Sequence, residues 1–245
     1  MLRGISNKIS FHIHKLFVFL YVNYKFIIRD SWKSIDGICL PLYSEIGFNT
    51  LRWIIDGEYE IGEINIIKNT IERDDIILEI GTGLGFVSSY CAKITSSSQV
   101  FTFEANPLNY ELAKSVFFKN NVSPSIKNAY LTNEEGFVDF PINQKSRLAS
   151  SIKDNTNAFY TIQKLNLNKV IAEIKPTYLI MDIEGAEFDV FSIINFQTIK
   201  KIQFELHPSI LDKSKCDFIF NLLSENSFQL DTTNSLHPNY YFLKK

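Results

Sequence analysis

The sequence predicts an α/β protein built on a doubly wound, mostly parallel sheet with helices on both faces. Three observations carry that prediction. Short apolar runs of strand length alternate with stretches whose apolar residues recur at helical spacing. The runs are apolar throughout, as expected of strands covered on both faces. A glycine-rich turn follows the first of them, at the kind of position where open α/β sheets bind ligands.

The elements follow in chain order. Ile64, Ile67 and Ile71 recur at spacings of three and four and predict a helix, closed by the turn Arg73-Asp74-Asp75. Ile76–Ile80 reads as a strand running into glycines, and Phe86–Lys93 as the next helix. Val100–Glu104 is a second strand, and Pro107–Asn120 a helix with Leu108, Leu112 and Val116 on one side. Ser125–Leu131 is a third strand. Thr177–Ile183 and Lys201–Leu206 are two more, separated by a helix over Ala186–Ile194. Phe228–Leu230 and Tyr240–Leu243 form a closing pair. Residues 46–245 therefore read as one domain, preceded by an aromatic-rich helical extension over 1–45.

Composition narrows the function. The chain has 245 residues, 45% hydrophobic and 21% charged, which is enough apolar surface to offset chain entropy and excludes disorder. Its 25 Lys and Arg balance 27 Asp and Glu, so no global basic field exists to hold a nucleic acid. Cys39, Cys91 and Cys216 are scattered and form no CxxC pair, which fits a reducing cytoplasm. The chain has 21 Phe and 11 Tyr, and aromatic and aliphatic residues together crowd Ile9 to Ile28. The longest apolar run there, Leu16–Val22, falls short of the roughly 20 residues a spanning helix needs. No small-residue cleavage site follows it, which argues against a signal peptide. The segment reads as a lid or a homodimerisation helix, with docking on a membrane surface as the alternative.

The strongest local signal is Glu79-Ile80-Gly81-Thr82-Gly83-Leu84-Gly85. Glycines let the chain turn tightly and let a ligand approach the backbone, and the following helix offers free N–H groups. The spacing is G-x-G-x-G, one residue shorter than the dinucleotide fingerprint. Glu104 ends the neighbouring strand, where a carboxylate can accept both hydroxyls of a ribose. The alternative for Glu104 is a helix-entry acid before Asn106-Pro107.

A second cluster follows the fourth strand. Asp182 stands at the strand tip, Glu184 at the helix entrance and Glu187 one turn further. Acids there also suit the helix dipole, but a carboxylate ending an apolar strand needs a partner. Glu205 and His207 share a face of the fifth strand. His207 suits a proton acceptor near neutral pH, or a structural hydrogen bonder. Asp182, Glu184, Glu205 and His207 also have the chemistry for a metal site, though nothing in their spacing demands one.

With these residues in hand, the chain resembles the FkbM-type methyltransferases that use S-adenosylmethionine (SAM). The carrying pieces are Gly57-Glu58-Tyr59-Glu60, the segment Ile77–Gly85, Phe103-Glu104-Ala105-Asn106-Pro107, Asn128-Ala129-Tyr130-Leu131, Ala149-Ser150-Ser151, Met181–Glu187 and Phe204-Glu205-Leu206-His207-Pro208. Glu79 stands where the family often has Asp, and Thr82 and Leu84 where it has Ala and Asn. The resemblance implies a seven-stranded class I methyltransferase sheet, Rossmann-like, with the last strand antiparallel. It implies O-methylation of a small molecule, a sugar or a surface-glycan precursor, as in polysaccharide biosynthesis. By the same resemblance Glu79, Gly81, Thr82, Gly83 and Gly85 hold the methionine end of SAM. Glu104 holds the ribose, with Ala105 and Asn106 beside it, and Asn128 and Ala129 flank the adenine. Asp182, Glu184 and His207 face the acceptor, with Asp182 also near the cofactor. The competing readings are a nicotinamide-dependent oxidoreductase on a similar sheet, and a non-catalytic protein that kept the fold.

Overall fold

A computed structural model describes residues 31–43, 46–141 and 159–245. These fall into two compact units, Met1–Tyr59 and Glu60–Lys245.

In the first unit, β1 (Trp32–Ile35) and β2 (Ile38–Pro41) form an antiparallel hairpin, followed by α1 (Phe48–Asp56). Residues 32–41 were expected within a helical extension, and they form strands instead. The turn Asp36-Gly37 explains this: both residues take positive φ, 47° and 79°, which suits a two-residue hairpin turn. The aromatic segment over 1–30 and the piece Ala149-Ser150-Ser151 lie outside the described residues.

The second unit begins with α2 (Ile61–Thr70), then β3 (Ile77–Ile80), α3 (Phe86–Ile94), β4 (Val100–Glu104), α4 (Pro107–Lys119) and β5 (Ser125–Thr132). There follow β6 (Gly136–Pro141), β7 (Phe159–Asn166), α5 (Leu167–Ile174), β8 (Tyr178–Met181) and α6 (Glu187–Phe191). The unit closes with β9 (Lys201–Glu205), α7 (Lys213–Glu225), β10 (Phe228–Leu230) and β11 (Asn239–Lys244). Among the described residues the sheet has nine strands, in the order β10-β11-β9-β8-β3-β4-β5-β7-β6. The last strand, β11, runs antiparallel between β9 and β10, as the resemblance implies. The seven expected strands are present; β6 and β7 extend the sheet beyond β5.

The apolar runs pair because both of their faces are covered. All four residues of β3 and of β8 are buried. Leu78 and Ile80 point into a cluster with Leu179, Met181, Phe204, Val170 of α5 and Ile219 of α7. Ile77 and Glu79 alternate to the other face. Phe204 packs against Phe191 and Phe242 at ring distances of 5.0 and 6.0 Å. Burying each such ring contributes about 1.5–3 kcal/mol.

Topology then places the site. β3 has β4 on one side and β8 on the other, both parallel and in register, so Ile80 lies beside Phe103 and Met181. From β3 the chain order runs outward in both directions. The crevice beyond the carboxyl ends of β3 and β8 is thus the switch point where such sheets bind ligands.

Candidate active site

The glycine loop is shaped by steric necessity at two positions. Gly81 has φ 91°, and a Cβ there would lie 1.8 Å from the backbone oxygen of Asp182. Gly85 has φ 78°, and its Cβ would lie 2.7 Å from the ring of Phe117. The first glycine lets the loop touch the tip of β8, and the third lets α3 begin against α4. Gly83 turns the chain between them, and its N–H donates to Glu104 Oε2 at 2.9 Å.

Two buried carboxyls flank this loop. Glu79 accepts hydrogen bonds from the hydroxyls of Ser88 and Thr102. Thr82 bonds Thr102 in turn, so one network ties β3, the loop and β4 together. Burial pushes Glu79 up to about 7, against the lowering effect of the two hydroxyls. Glu104 accepts from Gly83 N–H and, at 2.7 Å, from Asn106 N–H. Burial takes it, too, up to about 7. Asn106 caps α4, accepting from Leu108 N–H at 3.0 Å. Asn128 donates to the carbonyls of Glu104 and Ala105 at 2.7 and 3.1 Å, fastening the turn after β4. The Ala129 side chain lies in the hydrophobic cluster, while Ala105 packs near Phe140 and Ile162.

Beside the loop is a narrow cleft, part of it open to solvent. Glu79, Gly81 and Asp182 line it, as do Glu60, Glu63, Gln203 and Glu205. No Lys or Arg is among its lining residues. Five carboxyls in a lining that includes no Lys or Arg suit a cationic guest, and SAM carries a sulfonium and an ammonium. Thr82, Gly83, Gly85, Glu104, Asn106 and Asn128 do not line this pocket; Gly83, Asn106 and Asn128 bond Glu104 at the end of β4.

An acid–imidazole cluster closes the far side. Asp182 follows β8; Glu184 and Gly185 then turn the chain with φ 53° and 93°. A Cβ on Gly185 would meet Ile210 at 2.5 Å. His207 lies two residues beyond Glu205 on the same face. Its Nδ1 is 2.8 Å from Glu187 Oε1. Its Nε2 is 3.4 Å from Glu184 Oε2, and 3.8 Å from both Asp182 Oδ1 and Glu205 Oε1. Burial alone would pull the imidazole down, but the hydrogen bond to Glu187 and the charges of Asp182, Glu187 and Glu184 push it up to about 9. Burial and a hydrogen bond shared with Glu63 raise Glu205 to about 8. Burial, then Glu205 and Glu184, raise Asp182 well above the carboxylate range. Asp182, Glu205 and His207 each offer one donor atom within 4.8 Å of the others. That spacing admits a divalent cation and does not require one.

The structure thus gathers Asp182, Glu184 and His207, and it adds three residues that sequence reasoning missed or underrated. Glu63 reaches the site from α2. Gln203 was signalled by a polar residue inside an apolar strand, in step with Glu205 and His207; its amide donates to Glu63 O at 3.1 Å. Glu187 looked like a helix-entry acid and is instead the nearest partner of His207.

Solved structures similar to this chain include a methyltransferase from Pyrococcus furiosus, at 13% identity and a TM-score of 0.48, covering 93% of this chain and 96% of that one. Another is a ribosomal protein L11 methylase from Lactobacillus delbrueckii subsp. bulgaricus, at 14% identity, TM-score 0.43 and 81% coverage of each chain. A third is an O-methyltransferase from Bacillus cereus, at 11% identity, TM-score 0.42, covering 75% and 80%. No curated protein matches the chain. The methyltransferase FkbM domain model matches residues 74–230, more than half of the sequence and the whole stretch from the glycine loop through the acid cluster. This chain therefore belongs to the FkbM family of methyltransferases, whose cofactor is SAM.

Proposed function

We propose that the protein methylates a hydroxyl oxygen of a small molecule, a sugar or a surface-glycan precursor. The observation that carries the proposal is His207 Nε2, set among carboxylates within 3.8 Å at the end of the acid-lined pocket. When bound, SAM supplies a methyl group activated on a sulfonium. The acids Glu79, Glu63 and Asp182 offer its charged end a negative pocket, with the loop Gly81-Thr82-Gly83-Leu84-Gly85 lying along it. Glu104 accepts from ribose hydroxyls. Asn128 holds the turn that carries Ala105 and Asn106, and Ala129 continues β5 beneath the adenine.

The chain's own residues do the rest. They align the acceptor oxygen in line with the methyl group, exclude water, and take the proton that the hydroxyl loses. In its neutral form, favoured as pH rises toward about 9, His207 Nε2 receives that proton, with the Asp182 carboxylate as the neighbouring acceptor. Glu184 stands beside both and presents a further carboxylate to the acceptor. Acids on this face repel an anionic acceptor and accept hydrogen bonds from a neutral polyol, which supports a sugar-like substrate. The nicotinamide-dependent reading has no support from the family match.

His207→Asn and Asp182→Asn variants test the proposal against a glycan acceptor, scored by mass gain. The expected result is a loss of turnover of about 10²–10⁴ for at least one variant, with SAM binding retained by calorimetry. Full turnover in both variants overturns the assignment. A complete lack of methyl transfer by the intact chain, across a panel of hydroxyl acceptors with SAM bound, would support the non-catalytic reading instead.

A further inference from the structure

The geometry points to Glu187 as the residue that positions His207, holding Nδ1 as the protonated nitrogen so that Nε2 is the one that meets the acceptor. This rests on the reading of His207 as the base. Glu187 was placed by sequence at a helix entrance, where an acid needs no special role. The structure gives it another. Its side chain is fully buried, at 0% exposure. One oxygen, Oε1, accepts from Gly185 N–H at 3.0 Å and faces His207 Nδ1 at 2.8 Å. The other, Oε2, is buried and has no hydrogen-bond partner. A carboxylate so placed needs the donor it has, so the contact selects the imidazole tautomer that carries hydrogen on Nδ1.

The second nitrogen is held differently. Nε2 faces Glu184 and Asp182 from the β8–α6 turn and Glu205 from β9, at 3.4–3.8 Å. Glu63 on α2 acts on it more weakly, through charge alone. None of these contacts matches the 2.8 Å approach on the Nδ1 side. Nε2 is therefore the nitrogen open to a proton from the acceptor, and it lies beside two pocket-lining carboxylates. The positions that build this arrangement are distant in sequence. Gly185, with no room for a Cβ beside Ile210, sets the N–H that steadies Glu187. β9 delivers the imidazole from the neighbouring strand. When the acceptor proton moves to Nε2, the imidazolium that forms is already paired on its other nitrogen.

The test uses the full chain with ¹⁵N-labelled histidine. His207→Asn assigns the His207 signals among the four histidines. The wild type is expected to show Nδ1 protonated and Nε2 titrating. Glu187→Gln should lower the midpoint of that titration by at least one pH unit, mix the tautomers, and cut turnover about 10–100-fold with the KM for SAM unchanged. Glu187→Asp should restore part of the turnover and of the midpoint. Unchanged midpoint and tautomer in folded Glu187→Gln overturn the positioning role. If that variant does not fold, the wild type decides alone, because a neutral imidazole protonated on Nε2 is incompatible with the proposal. Failure of the base reading looks different: full turnover in His207→Asn, while the wild type still shows the Glu187-dependent titration.

Discussion

Replacing Gly81 by Ala perturbs the site at the point where the glycine loop touches the tip of β8. Two costs can be worked from the structure. The φ of 91° lies in a region that side chains avoid, at about 1–2 kcal/mol for a residue with a Cβ. The added Cβ would lie 1.8 Å from Asp182 O. Backbone is rigid there, since Asp182 N–H bonds Ile80 O at 3.1 Å, so the loop and the strand tip must part. Overpacking of this kind costs about 1–3 kcal/mol. The sum is about 2–5 kcal/mol of stability, read from urea unfolding followed by circular dichroism. Because Gly81 and Asp182 both line the pocket, the same shift should weaken SAM binding at least tenfold by calorimetry. A loss below about 1 kcal/mol with SAM affinity intact would refute the steric argument, since strain alone should exceed that.

Three further outcomes follow from charge and burial. Glu79 and Glu104 are raised to about 7, Glu205 to about 8 and His207 to about 9. Groups raised on folding stabilise most below their unfolded values and lose that contribution as pH climbs through the folded ones. Thermal stability should therefore fall from pH 6 to pH 9, and a flat or rising Tm across that range contradicts the assignment. If Glu104 accepts from ribose hydroxyls, it does so best as a carboxylate, and SAM binding should then tighten as pH rises through about 7. Glu104→Gln should weaken binding by about 1.5–3 kcal/mol and remove that pH dependence; a variant with a wild-type pH profile would count against Glu104. At the opposite end of the strands, Lys201 pairs with buried Asp75 at 2.8 Å and donates to Thr70 O at 3.0 Å. Lys201→Met should cost about 3–5 kcal/mol of stability and leave the SAM affinity of the folded protein unchanged; altered affinity would mean that the two ends of the sheet communicate.

Much of the sheet was legible because its strands are local apolar runs. β4 occupies Val100–Glu104 as expected, and β3, β5, β8 and β9 differ from their expected limits by one or two residues. The helix expected over Ala186–Ile194 shortens to Glu187–Phe191, because Asn168 on α5 holds the following turn through Ile193 O and Asn195 N–H at 2.7 and 2.8 Å. Among the described residues three helices went unread, α1, α5 and α7, the last two although their signals were present. Asn166 and Asp212 cap α5 and α7 through Lys169 and Lys215 N–H. Behind them Leu167, Val170, Ile171 and Ile174, and Cys216, Ile219, Phe220 and Leu223, recur at helical spacing. The exposed strands β6 and β7 were harder to read, because polar and apolar residues mix along them.

What the sequence determined by itself was local: the alternation of strands and helices, the glycine turn, and the placing of acids at the ends of strands. These depend on neighbours in the chain, which periodicity records. Tertiary structure decided which acids meet. Glu63 joins Glu205 only because α2 packs against β9. Glu187 finds His207 only because β8 and β9 lie side by side in one register. Whether a carboxylate caps a helix or steers an imidazole depends on sheet order and on the burial it enforces, and neither is written in the spacing of residues along the chain.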